Sequence, residues 1–107
     1  MIAELVREKL IDLLSDEVPH SVAVVVEHMA TNDDCVLEVD VTIYVERESQ
    51  KGIVIGKGGR ILKQAGTRAR AEIEALVGQP VFLTQRVKVA KDWQHREGMA
   101  ERFGYAT

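Results

Sequence analysis

The chain has 107 residues, enough for one compact domain with a single core and too few for two. Hydrophobic residues make up 46% of it, yet no apolar run reaches the roughly 18 residues that a membrane-spanning helix needs. The first ten residues, MIAELVREKL, mix polar and apolar types and do not resemble a secretory signal peptide. The single cysteine, Cys35, excludes an internal disulfide, and together these features predict a domain of the reducing cytoplasm.

Charge is divided unevenly along the chain, although the formal net charge is only −3. Residues 1–46 carry eleven Asp and Glu against two Lys and Arg, whereas residues 47–107 carry six against twelve. Five of the basic residues fall within residues 57–70, a stretch that contains no acid. A local positive field of this kind favours an anionic partner, although the same charges also suit a solvated helix face.

The first half of the chain predicts a helix followed by two strands. Apolar residues recur at helical spacing over residues 2–15, and Pro19 prevents the helix from continuing. A β-branched run predicts a strand over residues 21–29, and the polar residues 31–34 predict a turn. Residues 36–46 alternate between apolar and polar types, which predicts a strand with one buried and one solvated face. The two strands are expected to form a hairpin.

Two helices separated by a glycine-rich stretch are predicted next. Ser49 can cap a short helix over residues 50–55, which is followed by GKGG at residues 56–59. A long helix is predicted from Arg60 to about Val77, because apolar residues again recur at helical spacing. The residues that form this apolar stripe along one face of the helix are Ile61, Leu62, Ala65, Ala69, Ile73, Leu76 and Val77.

Two residues depart from these patterns. Gly66 lies inside the long helix at a cost of about 1 kcal/mol relative to Ala, which predicts a close approach to the sheet at that point. Gln85 breaks the alternation of a predicted third strand over residues 81–89, and the sequence offers no reason for it.

A final helix is predicted over residues 94–103. Its aromatic anchors are expected to be Trp93, Phe103 and Tyr105.

The glycine-rich stretch does not match either common nucleotide-binding motif. Against the P-loop pattern, Gly56 comes one position too early after Gly52, and Gly58 replaces the required Ser or Thr. Against the dinucleotide fingerprint, Ile61 stands in place of the third glycine. A nucleotide site at this stretch is therefore not expected.

No group of residues supports catalysis or metal binding. His20, His28 and His95 share no spacing that is typical of a metal site, and Cys35 lacks a flanking nucleophile motif. The sequence therefore predicts a domain that is not an enzyme and has no catalytic residues, metal or cofactor.

GKGG instead combines features that suit a phosphate backbone. Glycines leave no Cβ in the way of a ligand, and the amides of Lys57, Gly58 and Gly59 are expected at the N-terminus of the long helix. There, unpaired N–H groups and the helix dipole favour an anion. Lys57 adds a cation, and the neighbouring branched aliphatic residues can form the floor of a groove for unstacked bases. The alternative is a glycine turn that merely connects two helices.

Residues 45–78, VERESQKGIVIGKGGRILKQAGTRARAEIEALVG, resemble the central part of a type II KH domain, with its G-x-x-G motif at residues 56–59. KH modules clamp about four nucleotides with this loop. The resemblance implies an α+β fold in the order helix, strand, strand, helix, GxxG, helix, strand, helix. It also implies a three-stranded mixed sheet with the helices packed on one face.

The resemblance is closer to one branch of these domains, the C-terminal domain of the Era family of bacterial GTPases, and runs from about Val6 to Tyr105. The motifs that carry it are VPHS (18–21), VERESQK (45–51), IGKGG (55–59), VKVAKDW (87–93) and FGY (103–105). It implies that residues 1–107 form a single KH domain, without the GTPase domain that the parent chain carries. It further implies binding to the 3′ end of 16S ribosomal RNA during assembly of the 30S subunit.

The resemblance also implies roles for particular residues. Those expected to approach the RNA backbone are Gly56, Lys57, Gly58 and Gly59. Those expected to line the groove or lie beside it are Ile53, Ile55, Ile61, Lys51, Arg60 and Lys63. Gln85 and Arg86 depart from the family pattern, in which a leucine and a tryptophan are frequent at these positions. A second hypothesis stays open, in which the domain keeps the KH fold and uses its acidic half to bind a protein rather than RNA.

Overall fold

The computed structural model describes residues 1–14 and 22–91, which form three helices, a 3₁₀ turn and one sheet. The elements are α1 (Ile2–Leu13), β1 (Ala23–Thr31), β2 (Leu37–Val45), α2 (Glu48–Ile55), the 3₁₀ turn (Lys57–Gly59), α3 (Arg60–Val77) and β3 (Val81–Val89). The predicted order is confirmed as far as β3. Pro19 and the predicted final helix, with its three aromatic anchors, lie outside the described residues. None of the described helices is both long and apolar enough to cross a membrane.

The sheet is mixed, as predicted, with the strand order β1-β2-β3. β1 pairs with β2 in antiparallel orientation, and β2 pairs with β3 in parallel orientation, so Ile43 lies between Val24 and Val87. A parallel pair requires a long crossover connection, and α2, the 3₁₀ turn and α3 supply it. The crossover leaves β3 at one edge of the sheet, in contact with both α2 and α3.

The core lies between one face of the sheet and the three helices. Val6 and Leu10 of α1, Val54 of α2 and Ile73 of α3 are all fully buried in one cluster. The members of β2 in that cluster are Leu37, Val39, Val41, Ile43 and Val45. The predicted packing of the helices on one face of the sheet is therefore confirmed for α1, α2 and α3.

Burial differs from the predicted pattern at two places. The face of β2 that was expected to be solvated is covered in its second half, where Thr42 and Tyr44 are buried. Tyr44 packs there against Ala23 of β1, its partner in the antiparallel pair. Leu76 and Val77, predicted on the apolar stripe of α3, are exposed because the helix extends beyond the core at its C-terminal end.

The start of α2 also differs from the prediction. The helix begins at Glu48 with Arg47 as its N-cap residue, so the predicted capping role of Ser49 is wrong. The side-chain oxygen of Gln50 accepts hydrogen bonds from the amides of Glu46 and Arg47, at 2.9 and 3.0 Å. A glutamine at the third helical position can reach back to amides that the helix itself leaves unpaired. This contact fixes the direction in which α2 leaves β2.

A salt bridge connects α1 to α3. The ammonium of Lys9 lies 2.6 Å from the Glu72 carboxylate, and this hydrogen bond raises the pKa of Lys9 above its ordinary value of 10.5. Since the pKa of Lys9 is higher in the folded chain, the charged ammonium beside the Glu72 carboxylate stabilises the fold around neutral pH. That stabilisation is lost as the pH rises through the folded-state pKa.

The two residues that depart from the sequence patterns meet in the structure. Gln85 keeps the inward direction of its strand, and its Nε2 donates a hydrogen bond to the carbonyl of Leu62 in α3, at 3.1 Å. A Cβ at position 66 would collide with that side-chain amide, so Gly66 makes room for Gln85. The close approach predicted at Gly66 is confirmed, with a side chain of the sheet as the neighbour. The Oε1 atom of Gln85 is buried and has no hydrogen-bond partner among the described residues.

We expect the effects of Gly66→Ala and Gln85→Ala on stability to be strongly coupled. With Gln85 present, the helix-propensity gain of about 1 kcal/mol from alanine is offset by the loss of a hydrogen bond of similar size. With Gln85→Ala, the same change at position 66 is expected to stabilise the fold by about 1 kcal/mol. Urea denaturation of the four chains measures the coupling energy, and additive effects would contradict this account.

Candidate nucleic-acid interface

The GKGG sequence forms a tight connection between α2 and α3. Gly56 ends α2 with φ 78° and ψ 171°, and Gly58 and Gly59 have φ angles of 64° and 79°. Positive φ angles are strained for residues that carry a Cβ, and the combination at Gly56 is almost restricted to glycine. The three glycines therefore let the chain turn from α2 into α3 within four residues.

Gly56 also lies directly against the start of α3. A Cβ at this position would lie 2.9 Å from the backbone nitrogen of Ile61 and 2.5 Å from its Cγ1. The Gly56 carbonyl accepts a hydrogen bond from the Gly59 amide at 3.1 Å, and this bond closes the turn. The loop is thus held on the first turn of α3 and presents its other side to solvent.

Lys57 and Gly58 form the exposed tip of the loop. Lys57 opens the 3₁₀ turn without a positive φ, and Gly58 follows it in the left-handed region with φ 64° and ψ 20°. Successive N–H groups in such a pair point into one concave site that suits an anion. The amides of Lys57 and Gly58 precede the first hydrogen bond of the turn, so they remain available to a ligand.

One amide of the predicted phosphate site already forms a hydrogen bond within the loop. The sequence placed three loop amides at the site, but the Gly59 amide is already used by the Gly56 carbonyl. The Arg60 amide is used as well, since it donates to the Lys57 carbonyl. Two amides at the tip, rather than three, are left for an anion.

Basic side chains surround this tip. Lys57, Arg60 and Lys63 are exposed, and none of them forms a salt bridge within the described part of the chain. Lys51 is half-buried on α2. The positive charge beside the loop is therefore not neutralised by acids of this part of the chain, which leaves it to attract an external anion.

The aliphatic residues beside the loop divide between the core and the surface. Val54 is fully buried in the core, whereas Ile53 on the same helix is 38% exposed. Ile55 and Ile61 are half-buried, and Ile61 packs against the edge of the core cluster. The residues expected to line the groove thus keep apolar surface accessible next to the loop.

A cavity that the sequence did not predict extends this surface along α3. It has a volume of about 260 Å³ and lies between α3 and β3. Its lining consists of Lys63, Gly66, Thr67, Arg70, Phe82, Leu83 and Gln85. The spacing of Lys63, Thr67 and Arg70 already places them on one helical face, but nothing local indicates that β3 lies opposite.

Residues 1–14 and 22–91 contain no candidate metal site. These residues contain no group of three His, Cys, Asp or Glu side chains that could hold a metal ion. Cys35 is exposed in the hairpin turn and is not bonded to another cysteine. His20 and His95 lie outside the described residues.

The fold and the loop define a class of protein, the α+β modules that hold single-stranded nucleic acid between a glycine loop and a groove. The chain belongs to the KH domain family, which matches residues 17–94.

Curated relatives place the similarity in one group of proteins within this family. The chain is 49% identical over 105 residues to GTPase Era of Staphylococcus haemolyticus and 48% identical over 105 residues to GTPase Era of Heliobacterium modesticaldum. These matches cover 98% of this chain and 35% of each relative. The chain thus spans about a third of the length of the curated relatives that it matches.

Solved structures agree with these relatives. Era in complex with MgGDPNP and nucleotides 1506–1542 of 16S ribosomal RNA superposes with a TM-score of 0.94 at 44% identity. A point variant of Aquifex aeolicus Era bound to GDP.AlF4- gives the same two values. Both matches cover 99% of this chain and 36% of the other. The resemblance to the KH domain of the Era family is confirmed.

Proposed function

We propose that this chain binds single-stranded RNA through the GKGG loop and the groove beside it. The observation that carries the proposal is the pair of available amides at Lys57 and Gly58, set among exposed basic side chains that have no acidic partner among the described residues. Amides and cations at one point bind a phosphate, and the accessible aliphatic surface next to them suits unstacked bases. Ile53, Ile55, Ile61, Lys51, Arg60 and Lys63 form the sides of this site.

The RNA in question is the 3′ end of 16S ribosomal RNA, bound during assembly of the 30S subunit. This part of the proposal is supported by the 44% identity to an Era protein whose structure contains nucleotides 1506–1542 of that RNA. The chain then acts in the cytoplasm beside a GTPase domain of the parent protein. By itself it binds RNA and catalyses no reaction.

Fluorescence anisotropy tests the proposal directly. The chain is titrated into a labelled RNA that matches the 16S 3′ end and into a scrambled RNA, each at several salt concentrations. We expect tighter binding to the matched RNA and a log–log salt slope between about −2 and −3. That slope follows from about 0.7 per phosphate contact over about four clamped nucleotides.

The other outcomes have distinct meanings. Equal affinity for both RNAs would reduce the site to a basic surface without sequence preference. Absence of binding at low salt would overturn the proposal and favour the hypothesis that the domain binds a protein.

A further inference from the structure

The face of the sheet that points away from α1, α2 and α3 is buried in one half and open in the other. Leu37 and Val39 of β2 belong to the core on the helix side, so the alternate residues Glu38 and Asp40 lie on the opposite face. Toward the end of β2 this opposite face is buried, as at Tyr44. At the start of β2, in contrast, Glu38 is exposed and Asp40 is half-buried. The open half of the face therefore lies next to the hairpin turn.

Two rows of side chains cross this open half, because residues directly opposite one another in paired strands share a face of the sheet. In the order β1, β2, β3, the first row is Ala30, Glu38 and Phe82, and the second is His28, Asp40 and Thr84. Phe82 is 62% exposed, although phenylalanine is one of the residues most often buried in a folded protein. Phe82 also borders the cavity between α3 and β3, but the rest of its row lies on the face that α3 does not cover.

The hairpin that forms most of the open half is acidic. Residues 23–45 contain five Asp and Glu and no Lys or Arg. Glu38 accepts a hydrogen bond from the Asn32 amide at 3.1 Å, and neither Glu38 nor Asp40 forms a salt bridge with a described residue. Arg86 of β3 lies in the next row along the sheet. This surface repels a phosphate backbone and attracts a cationic segment of a protein.

A ring beside a carboxylate suits a guanidinium better than an ammonium. Arginine stacks its planar guanidinium on aromatic rings and donates paired hydrogen bonds to a carboxylate, whereas the charge of lysine is compact and strongly hydrated. Phe82 and Glu38 are direct neighbours on β3 and β2, so one guanidinium can cover the ring and reach the carboxylate. Asp40 follows Glu38 at a distance of about 6.6 Å along the strand, which is also the spacing of alternate side chains in an extended peptide.

We propose that the open half of this sheet face binds an extended segment of a partner protein that carries arginine at alternate positions. One guanidinium lies between Phe82 and Glu38, and the next cation pairs with Asp40. The inference goes beyond the proposed function, since it assigns a protein partner to a surface on the opposite side of the sheet from the core helices. It also differs from the hypothesis that a protein takes the place of RNA, because the loop stays available to RNA.

Peptide binding measured by fluorescence anisotropy tests this proposal. The probes are a labelled peptide of about ten residues in which arginine alternates with serine, and the same peptide with lysine in place of arginine. We expect the chain to bind the arginine peptide about two- to fivefold more tightly, the effect of one exposed cation–π contact. Phe82→Leu keeps apolar surface but lacks a ring, so it should abolish this preference. Glu38→Gln should weaken binding of both peptides and leave the affinity for the matched RNA unchanged.

Glu4→Gln is the matched control for charge, because Glu4 is an exposed acid on α1, on the other side of the sheet. It should change neither peptide affinity, and thermal unfolding of each variant shows that the fold is kept. A preference for arginine that survived Phe82→Leu, or equal losses from Glu4→Gln and Glu38→Gln, would overturn the site in favour of diffuse attraction. A loss of RNA affinity in Glu38→Gln would overturn it in favour of an RNA surface. Sedimentation that showed a dimer dissociated by Phe82→Leu would assign the face to a second copy of the chain instead.

Discussion

The double variant Lys57→Asp, Gly58→Asp is expected to lose RNA binding while it keeps its fold. The change removes a cation and places two carboxylates where the loop amides receive a phosphate. Two hydrogen bonds to a charged group, each worth about 1.5–3 kcal/mol, are lost, so the affinity should fall by at least about 100-fold. Anisotropy with the matched RNA measures the loss.

The fold should survive because the loop tip is open. A Cβ at position 58 meets no atom within 4 Å, and aspartate tolerates the left-handed angles of that residue better than most side chains do. Circular dichroism and a thermal melt check this expectation.

A double variant with asparagine at both positions is the matched control. It has the same size and shape as the aspartate variant and lacks the negative charge, so it should retain more affinity. A folded aspartate variant that bound RNA as the wild type does would rule out the loop as the phosphate site.

Gly56→Ala is expected to damage both stability and RNA binding. The backbone at Gly56 has φ 78° and ψ 171°, a conformation that costs other residues about 1–3 kcal/mol. The new Cβ would also lie 2.9 Å from the backbone nitrogen of Ile61, which belongs to a helix and cannot easily move away. Urea denaturation should show the loss of stability, and anisotropy should show weaker binding, because the turn that aims the two tip amides is distorted.

Gly52→Ala provides the comparison within the same helix. Gly52 lies inside α2, and a Cβ there meets no atom within 4 Å. Alanine should therefore stabilise α2 by about 0.5–1 kcal/mol and leave RNA affinity unchanged. If Gly52→Ala lowered stability and RNA affinity as Gly56→Ala does, the loss at Gly56 would come from the reduced backbone freedom of any alanine in this segment. It would then not report the geometry of the turn.

The sequence predicted the local elements well where a periodic pattern was strong. The bounds predicted for α3, Arg60 to Val77, agree with the structure, and the alternation over residues 36–46 located β2 to within one residue at each end. The glycines and lysine of GKGG likewise identified the loop and its chemistry. These features depend on backbone preferences and on neighbours a few residues apart, which a single sequence contains.

The candidate site was only partly predictable, because a single sequence contains local preferences but not contacts between distant segments. The sequence indicated the loop and the basic residues beside it, because they are consecutive or lie one helical turn apart. It did not indicate that the Gly59 amide is occupied, since that depends on the exact closure of the turn onto the Gly56 carbonyl. The cavity between α3 and β3 was likewise missed, because the position of β3 beside α3 depends on its parallel pairing with β2.

By itself, then, the sequence determined the order of the elements as far as β3, the family resemblance and the loop that we propose as the anion site. Only the tertiary structure explained Gln85, which uses the space left by Gly66 to reach the Leu62 carbonyl. Only the tertiary structure showed that Tyr44 is buried and Leu76 exposed, against the periodic pattern. Periodicity reports which residues share a face, whereas burial depends on which segments, distant in sequence, pack against that face.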